Sequence, residues 1–511
     1  MKKINWFLSL CLLLLLSSYS HIDNSEDYDV IIIGAGSGGM GAAYALKGVG
    51  YKVAVIEQLP SLGGTACNSW IESWLPSLIP PYMEKIAIAM NKNYTECFLD
   101  TTWLDKKNSK FQKTKNLYLP AKRLSDQYLK DLLRDSVKVF TNHKFISAKA
   151  HDGIVTQITV FNQLSKKNKI FSAKYFVDAS GDGVLCRSVN KIDGEDYFWG
   201  RDERNMFHES IAGNADSVAK YKRYLNEPSL CFGIKTGIDD SELLDACKTV
   251  FVDGEGKVIA PSYINSDGFN AGNGVVNPMS GCGKGNIGYW TMINRDSVQR
   301  SFENRVIEYW KYLKLNMLQL KPGKTFGSGK WTREDAKRGL TTEVARYLGI
   351  RETYRINCEY MLTQNDLVKL IDSDNLEDFI AESDHEIDFH VREGLNRKKM
   401  EEINRDSIKP YGIPYRCLIP KKMKNVLIAS RCYGASQIAL SSARGNFVMA
   451  QLGWAAGNAL KICLDSVQND LRQVNILLLQ SDKYTDFFNR IKKLESLFNN
   501  TLKAEKTNGK K

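Results

Sequence analysis

The sequence predicts an α/β protein: a helix-wound parallel sheet interrupted by a mixed α+β domain. Three observations predict it. Asp29-Val-Ile-Ile-Ile-Gly34-Ala-Gly36-Ser37-Gly38-Gly39-Met-Gly-Ala-Ala43 joins an apolar, mostly β-branched run to an Ala-rich helix through a glycine turn. Val53-Ala-Val-Ile-Glu57 is a second apolar run that ends in a carboxylate. Two further apolar runs end at Asp178 and Ala429, far along the chain, so the sheet domain is discontinuous.

The first two runs, in this order, form the dinucleotide-binding fingerprint of a Rossmann-type fold. Gly34 permits the tight turn, and Gly36 removes a side chain that would block a pyrophosphate. Gly39 lets helix and strand pack closely. The helix N-terminus presents free N–H groups and a positive dipole end to phosphate. Glu57 stands where a carboxylate accepts from ribose hydroxyls, and it disfavours a 2′-phosphate by repulsion. An ordinary strand–helix turn can carry the same glycines. The second strand and Glu57 weigh for nucleotide binding.

The chain has 511 residues and a formal net charge of +12, and 43% of its residues are hydrophobic. These values fit a globular protein of two domains or one large discontinuous one. The lysines are scattered, without an aromatic-interleaved basic stripe, which argues against nucleic acid as a partner. Lys2 and Lys3 precede an apolar stretch from Trp6 to Leu16, followed by Ser18-Tyr19-Ser20. That is the layout of a secretory signal peptide over residues 1–20. An exported, periplasmic or cell-envelope protein is expected, with no transmembrane anchor after cleavage. Eleven cysteines are present and none forms Cys-x-x-Cys, which argues against zinc, a dithiol pair and a standard iron–sulfur run. No metal site is expected.

Beyond Glu57 and Gln58, the pair Gly63-Gly64 with Thr65 and Cys67 lets backbone approach a planar ligand. Trp70 to Asn116 is irregular and reads as an insertion over the ligand. A helical pattern from Leu119 to Asp135 follows, then a strand meander from Val137 to Phe176. It leads into Tyr175-Phe-Val-Asp178-Ala-Ser180-Gly181-Asp182. Asn190 to Pro410 is rich in Asn, Gly, Tyr and Trp and is the expected substrate domain, with helices near Arg295–Gln319 and Arg333–Leu348. Asn425 to Ala429 returns as a buried strand, followed by Arg431, a helix from Ala443 to Leu464 and a basic tail. The expected division is a nucleotide domain at 27–192 and 412–465, an insert at 193–411, and a C-terminal helix and tail at 466–511.

Three features narrow the ligand to a flavin: Gly63-Gly64, Asp178-Ala-Ser180-Gly181-Asp182, and Arg431 with Arg444 and Gly453-Trp-Ala-Ala456-Gly457. On these the chain resembles FAD-dependent oxidoreductases of the two-dinucleotide-binding-fold class. Leu348-Gly-Ile-Arg351-Glu352-Thr353-Tyr354-Arg355-Ile and Lys409-Pro-Tyr-Gly-Ile-Pro414-Tyr415-Arg416 are similar to the bacterial FAD-dependent oxidoreductase family related to heterodisulfide reductase. The resemblance implies a glutathione-reductase-like FAD-binding domain. It implies that Gly34, Gly36, Ser37, Gly38, Gly39, Glu57 and Gln58 hold the ADP half of FAD. Gly63 to Thr65 then pass near the flavin, and Asp178 to Asp182 close over the adenine and phosphate end. Gly453, Ala456 and Gly457 approach the ribityl and isoalloxazine. Arg431 and Arg444 neutralise phosphate or a reduced flavin, or form ion pairs. The iron–sulfur cysteines of heterodisulfide reductase are absent from the sequence. Cys67 is either a flavin-proximal thiol, a covalent attachment point or a small buried residue.

No second Gly-x-Gly-x-x-Gly follows a strand, so no separate nicotinamide domain is expected. The simplest reading is direct oxidation of a small-molecule substrate, with hydride passing to the flavin and an unknown electron acceptor reoxidising it. His385 and His390 are candidate bases, and Arg351, Glu352 and Tyr354 form a second candidate set. Asn270, Asn273, Tyr289 and Trp290 suit stacking on sugars by composition alone. Two rival classes stand beside this reading. One is a non-catalytic flavin- or ligand-binding envelope protein linked to glycan use. The other is a nucleotide enzyme without flavin.

Overall fold

The fold comes from a computed structural model that describes residues 26–71, 73–74, 78–93, 117–236, 275–276, 286–326, 331–337, 340–467 and 470–508. The expected signal segment, Asn270, Asn273 and most of the 70–116 insertion lie outside the described residues.

β1 (Glu26–Ile33) carries Val30 to Ile33, all buried, because both of its faces are covered. It runs into α1 (Ser37–Leu46), then β2 (Val53–Ile56) and the short α2 (Gly64–Asn68). α3 (Ala121–Arg134) buries Leu124, Tyr128 and Leu132, a spacing of one helical face. β3 (Lys138–Phe140), β4 (His143–His151), β5 (Ile154–Asn162) and β6 (Lys167–Asp178) complete the N-terminal half.

These strands form one sheet in the order β3-β2-β1-β6-β5-β4. β1 pairs in parallel with β2 and with β6, setting Ile33 opposite both Ile56 and Asp178. β4, β5 and the first half of β6 are the antiparallel meander expected from Val137 to Phe176. The second half of β6 is joined in parallel by β13 (Val426–Ile428), with Ile428 opposite Asp178. Ile56, Ile33, Asp178 and Ile428 therefore end four parallel strands in one row. Ligands bind outside such a carboxyl edge in open α/β sheets.

Between these halves lie α4 (Val184–Val189), β7 (Tyr197–Trp199), β8 (Phe232–Thr236), α5 (Arg295–Leu318) and β9 (Leu340–Val344). β10 (Tyr354–Ile356), β11 (Phe379–Ser383) and β12 (Tyr411–Pro414) follow. β8 pairs with β9, β7 with β10, and β11 with β12, all antiparallel. The helix expected over Arg333–Leu348 stops at Lys337, and β9 takes its second half. Leu340-Thr-Thr-Glu-Val is rich in β-branched residues, and pairing with β8 overrides the helical pattern. A second apolar core, with Leu230, Phe302, Val306 and Leu348, stands apart from the main one. Trp70 packs against both.

After β13 the chain forms α6 (Gln437–Ser442), α7 (Asn446–Ser466) and the tail helix α8 (Phe487–Asn508). The helix expected from Ala443 begins at Asn446 instead, with Gly445 as its extended N-cap. Among the described residues α7 alone is long and apolar enough to span a membrane, but 83% of that window is buried in the core.

α7 crosses α1 at backbone distance. A Cβ on Gly453 would lie 1.8 Å from the Gly38 carbonyl oxygen, and one on Gly38 would lie 1.6 Å from the Ala429 oxygen. A Cβ on Gly457 would meet the Ala42 oxygen at 2.6 Å. Only glycine admits this approach, so Gly453 to Gly457 serve the helix crossing. Gly453→Ala is predicted to cost at least about 1–3 kcal/mol, because backbone rather than a flexible side chain must yield. Thermal or urea unfolding of the purified variant measures it. An unchanged midpoint would contradict the crossing.

Candidate active site

A cavity of about 740 Å³ opens at the carboxyl edge of the sheet, within the usual size of a cofactor site. Its wall includes Gly34, Gly36, Ser37, Gly38, Glu57, Gln58, Gly64, Thr65, Ser180, Gly181 and Asp182. Arg431, Arg444, Arg351 and His390 also line it. Fifteen residues singled out from sequence thus meet at one surface, although they come from separated segments of the chain.

Each segment has a local reason for its place. Gly34 has φ +96°, a left-handed conformation, and a Cβ there would lie 2.5 Å from the Ala179 oxygen. Gly36 and Gly64 face each other: a Cβ on Gly64 would fall 2.7 Å from the Gly36 Cα. A Cβ on Gly36 would meet only the Gly64 Cα, at 3.9 Å, so its space is open. Gly36 caps α1 and Gly445 caps α7, both without a side-chain cap. Two helix N-termini therefore turn unsatisfied N–H groups toward the cavity. They are close enough for the Ser37 hydroxyl to donate to Asn446 Oδ1 at 3.3 Å.

Glu57 is buried, and its carboxylate accepts from the Ala35 N–H at 2.7 Å and the Leu59 N–H at 2.8 Å. Burial raises its pKa, and the backbone N–H groups oppose that rise. Each oxygen keeps a lone pair for a ribose hydroxyl. Burial also raises the Asp182 carboxyl, but Arg295 and Arg431 reverse this and bring it to about 2. Asp182 accepts from Arg295 at 2.8 Å, from Arg431 at 2.7 Å and from Thr353 Oγ1 at 3.1 Å. Arg295 comes from α5 and Arg431 from the segment after β13, so this carboxylate clamps the inserted region to the sheet domain. Arg431 is thus an ion-pair partner that also lines the cavity.

Asp388, His390, Arg351 and Arg444 form a second charged cluster on the wall, with Ile350 next to Arg351 in the chain and Ile71 packed against Gly349, whereas Tyr347 stands at the Arg295–Asp182 pair. Arg444 Nη2 donates to Asp388 Oδ2 at 2.7 Å, and His390 Nε2 stands 3.5 Å from the same oxygen. Burial would raise the Asp388 pKa, but His390 and Arg444 hold it well below the usual carboxylate range. Burial lowers the His390 pKa below 6.5; Asp388 opposes this, and Arg351 and Arg444 reinforce it. The imidazole is therefore neutral at neutral pH and able to take a proton.

Ten sequence candidates stand outside the cavity wall. Gly39 packs on the turn itself, its Cβ position 1.9 Å from the Gly34 oxygen. Gly63 sits over Cys67, whose Sγ would lie 2.1 Å from a Cβ there. Cys67 is buried beneath this turn, away from the wall, which disfavours it as an attachment point. Asp178 is buried and caps α4: it accepts from the Leu185 and Cys186 N–H groups at 3.0 and 3.1 Å. Gly453, Ala456 and Gly457 lie in the buried crossing of α7. Glu352 is buried in a polar network, accepting from the Asn226 N–H at 2.8 Å and from Gln437 at 2.6 Å. Tyr354 pairs in β10 and lies under the Arg187 guanidinium, 3.3 Å from its ring centroid. His385 turns its ring back to the Glu386 carbonyl at 2.8 Å.

Sequence reasoning missed Asp388, although Asp388-Phe-His390 carries a signal: in extended chain, residues two apart share a face. It also missed Tyr347 and the His143–Phe145 start of β4, which line the wall by tertiary placement alone, while Trp70, at the head of the segment read as lying over the ligand, is on the wall.

The residues present fit FAD. The facing glycines leave room for a pyrophosphate, the two uncapped helix ends supply N–H donors, and Glu57 awaits a ribose. Residues 29–482 match the model of a family described as FAD dependent oxidoreductase. Soluble pyridine nucleotide transhydrogenase of Escherichia coli (strain K12 / DH10B) is 41% identical over 70 residues, 14% of each chain. The same enzyme of Enterobacter sp. (strain 638) is 40% identical over 72 residues, 14% of this chain and 15% of that one. The chain thus spans about a seventh of the length of these curated relatives. A geranylgeranyl bacteriochlorophyll reductase-like protein of Thermoplasma acidophilum shares 12% identity and a TM-score of 0.40, over 93% of this chain and 88% of that one. A myxobacterial chondrochloren halogenase shares 11% and 0.37, over 92% and 82%.

Gly36 separates fold from binding. Gly36→Ala adds a methyl group into open space, so the apo protein should unfold within about 1 °C of the wild type. The same methyl group fills the space opposite Gly64, and FAD should bind at least about tenfold more weakly, a loss of about 1.4 kcal/mol. Flavin titration and thermal unfolding of one preparation test both. Wild-type FAD affinity would contradict the assignment.

Proposed function

The chain belongs to the FAD dependent oxidoreductase family, and from that premise we propose that it oxidises a small organic molecule at the His390 end of the cavity. The observation that carries this reading is the His390–Asp388–Arg444 cluster on the wall of the cavity. FAD, when bound, supplies a two-electron acceptor that takes up hydride. The chain supplies the rest. His390 accepts the proton that the substrate's hydroxyl or amine releases as its carbon loses hydride. Asp388 orients the ring through Nε2, leaving Nδ1 as the accepting atom, and steadies the imidazolium that forms. Arg444 fixes Asp388 in turn. Ile71 and Ile350 supply apolar surface to the wall near Arg351.

The narrower kinship with the family related to heterodisulfide reductase belongs to this reading. It is supported by Leu348 to Ile356, which supplies Gly349, Ile350 and Arg351 to the cavity wall. So does export: Lys2-Lys3 and the apolar run to Leu16 support a chain that works in the periplasm or cell envelope and takes up FAD after transfer. The acceptor that reoxidises the flavin is not specified by this reading.

The reading is tested by anaerobic screening of small alcohols, amines and hydroxy acids for bleaching of the bound FAD. Bleaching by one compound class is expected, with a rate that falls as pH drops through the His390 pKa, below 6.5. Asp388→Asn removes an anion that favours imidazolium, so its acid limb should move to lower pH while the plateau falls at least about tenfold. His390→Gln should lose about 10²–10⁴-fold. An unaltered rate in His390→Gln would exclude the assigned base. Bleaching by dithionite but by no organic substrate would exclude direct oxidation.

A further inference from the structure

Arg351 enters the cavity wall from the loop before β10. Its Nη1 donates to the Glu227 backbone carbonyl at 2.8 Å, its one hydrogen bond among the described residues. No carboxylate among those residues lies within 4.0 Å of this guanidinium. Asp388 is committed to Arg444 and His390. Burial, and then the like charge of Arg444, lower the Arg351 pKa to about 10, while Asp388 and, less strongly, Glu227 draw it the other way. Arg351 is still a cation at neutral pH. Two guanidiniums thus stand near Asp388, beside a neutral imidazole, and of the two only Arg444 pairs with it among the described residues.

A desolvated cation without a paired anion is costly, and the cost is recovered when an anion arrives. The anion need not come from FAD. The facing glycines and the two helix ends, not Arg351, form the surface suited to its phosphates. A guanidinium with an unused pair of N–H donors matches a carboxylate through two parallel bonds. Ile350, next to Arg351 in the chain, and Ile71, packed against Gly349, offer an apolar wall beside it, and Trp70 lines the same cavity.

We propose that Arg351 is the substrate-recognition residue, and that the substrate is a small organic acid whose carboxylate pairs with Arg351 while its apolar body lies against Ile71, Ile350 and Trp70. This rests on the direct-oxidation reading above and adds the chemical class. It also sets a geometry: the anchored carboxylate holds the neighbouring carbon and its hydroxyl or amine beside His390.

The test is calorimetric titration of the full-length, FAD-loaded protein with benzoate, benzamide and inorganic phosphate. Benzoate is expected to bind at least about tenfold more tightly than benzamide, which keeps the ring and loses the charge. Arg351→Gln should weaken benzoate at least about tenfold with FAD content unchanged. Arg351→Lys should recover part of that loss, since lysine keeps the charge without the fork. Equal binding of benzoate and benzamide would overturn the proposal, and that comparison needs no variant. Preference for phosphate over benzoate would also overturn it. So would an Arg351→Gln protein that loses FAD while its loaded fraction binds benzoate normally, because Arg351 would then serve the cofactor. These outcomes are separate from the bleaching screen. A yellow protein that is bleached by a neutral substrate and ignores benzoate overturns this inference alone.

Discussion

The structure depends on one backbone contact: the crossing of α7 over α1, with Gly453 against Gly38 and Gly38 against Ala429. It joins residues some four hundred positions apart in the chain. Neither half of the sheet domain is complete without it, since β13 must reach β6 and α7 must cover α1. A side chain at either crossing glycine would push the helices apart and move their N-termini. Those N-termini lie on the wall of the cavity. The glycines thus matter twice, at the turn for what they leave open and at the crossing for how close they let two helices come.

From this crossing follows the electrostatic plan. Uncapped helix ends and Glu57 make one part of the cavity suited to a dinucleotide. Asp182, held between Arg295 of the inserted region and Arg431 of the sheet domain, locks the two chain regions together at the wall. The cluster around Asp388 is different in kind. There a carboxylate is shared between Arg444 and a histidine kept neutral by burial, and Arg351 has no carboxylate paired with it among the described residues. A neutral imidazole beside a cation suits the proton abstraction from an anchored anion that we propose.

Much of this was legible in the sequence because it rests on local chemistry. The strand–glycine–helix run and Glu57 announce their roles through spacing, and the meander announces itself by alternation. Residues that looked alike by motif separated only in three dimensions. Gly453 and Gly457 resemble ligand-facing glycines but serve helix packing, and Asp178 caps a helix. Glu352 and Tyr354 adjoin Arg351 in sequence, yet hydrogen bonding and strand pairing turn them from the cavity. Of the two histidines, His390 reaches the wall because Asp388 and Arg444 meet there, whereas His385 bonds to the backbone carbonyl of Glu386. The helix expected over Arg333–Leu348 stops at Lys337 for the same cause, a tertiary partner that periodicity does not record.

The central claim is that this cavity holds FAD without a covalent bond. The visible spectrum of the purified protein, taken before and after acid precipitation, tests it most directly. The account predicts a yellow protein whose colour passes wholly into the supernatant and is FAD by chromatography, because Cys67 is buried away from the cavity wall. Colour kept in the pellet, or a colourless protein that cannot be reconstituted with FAD, would contradict it.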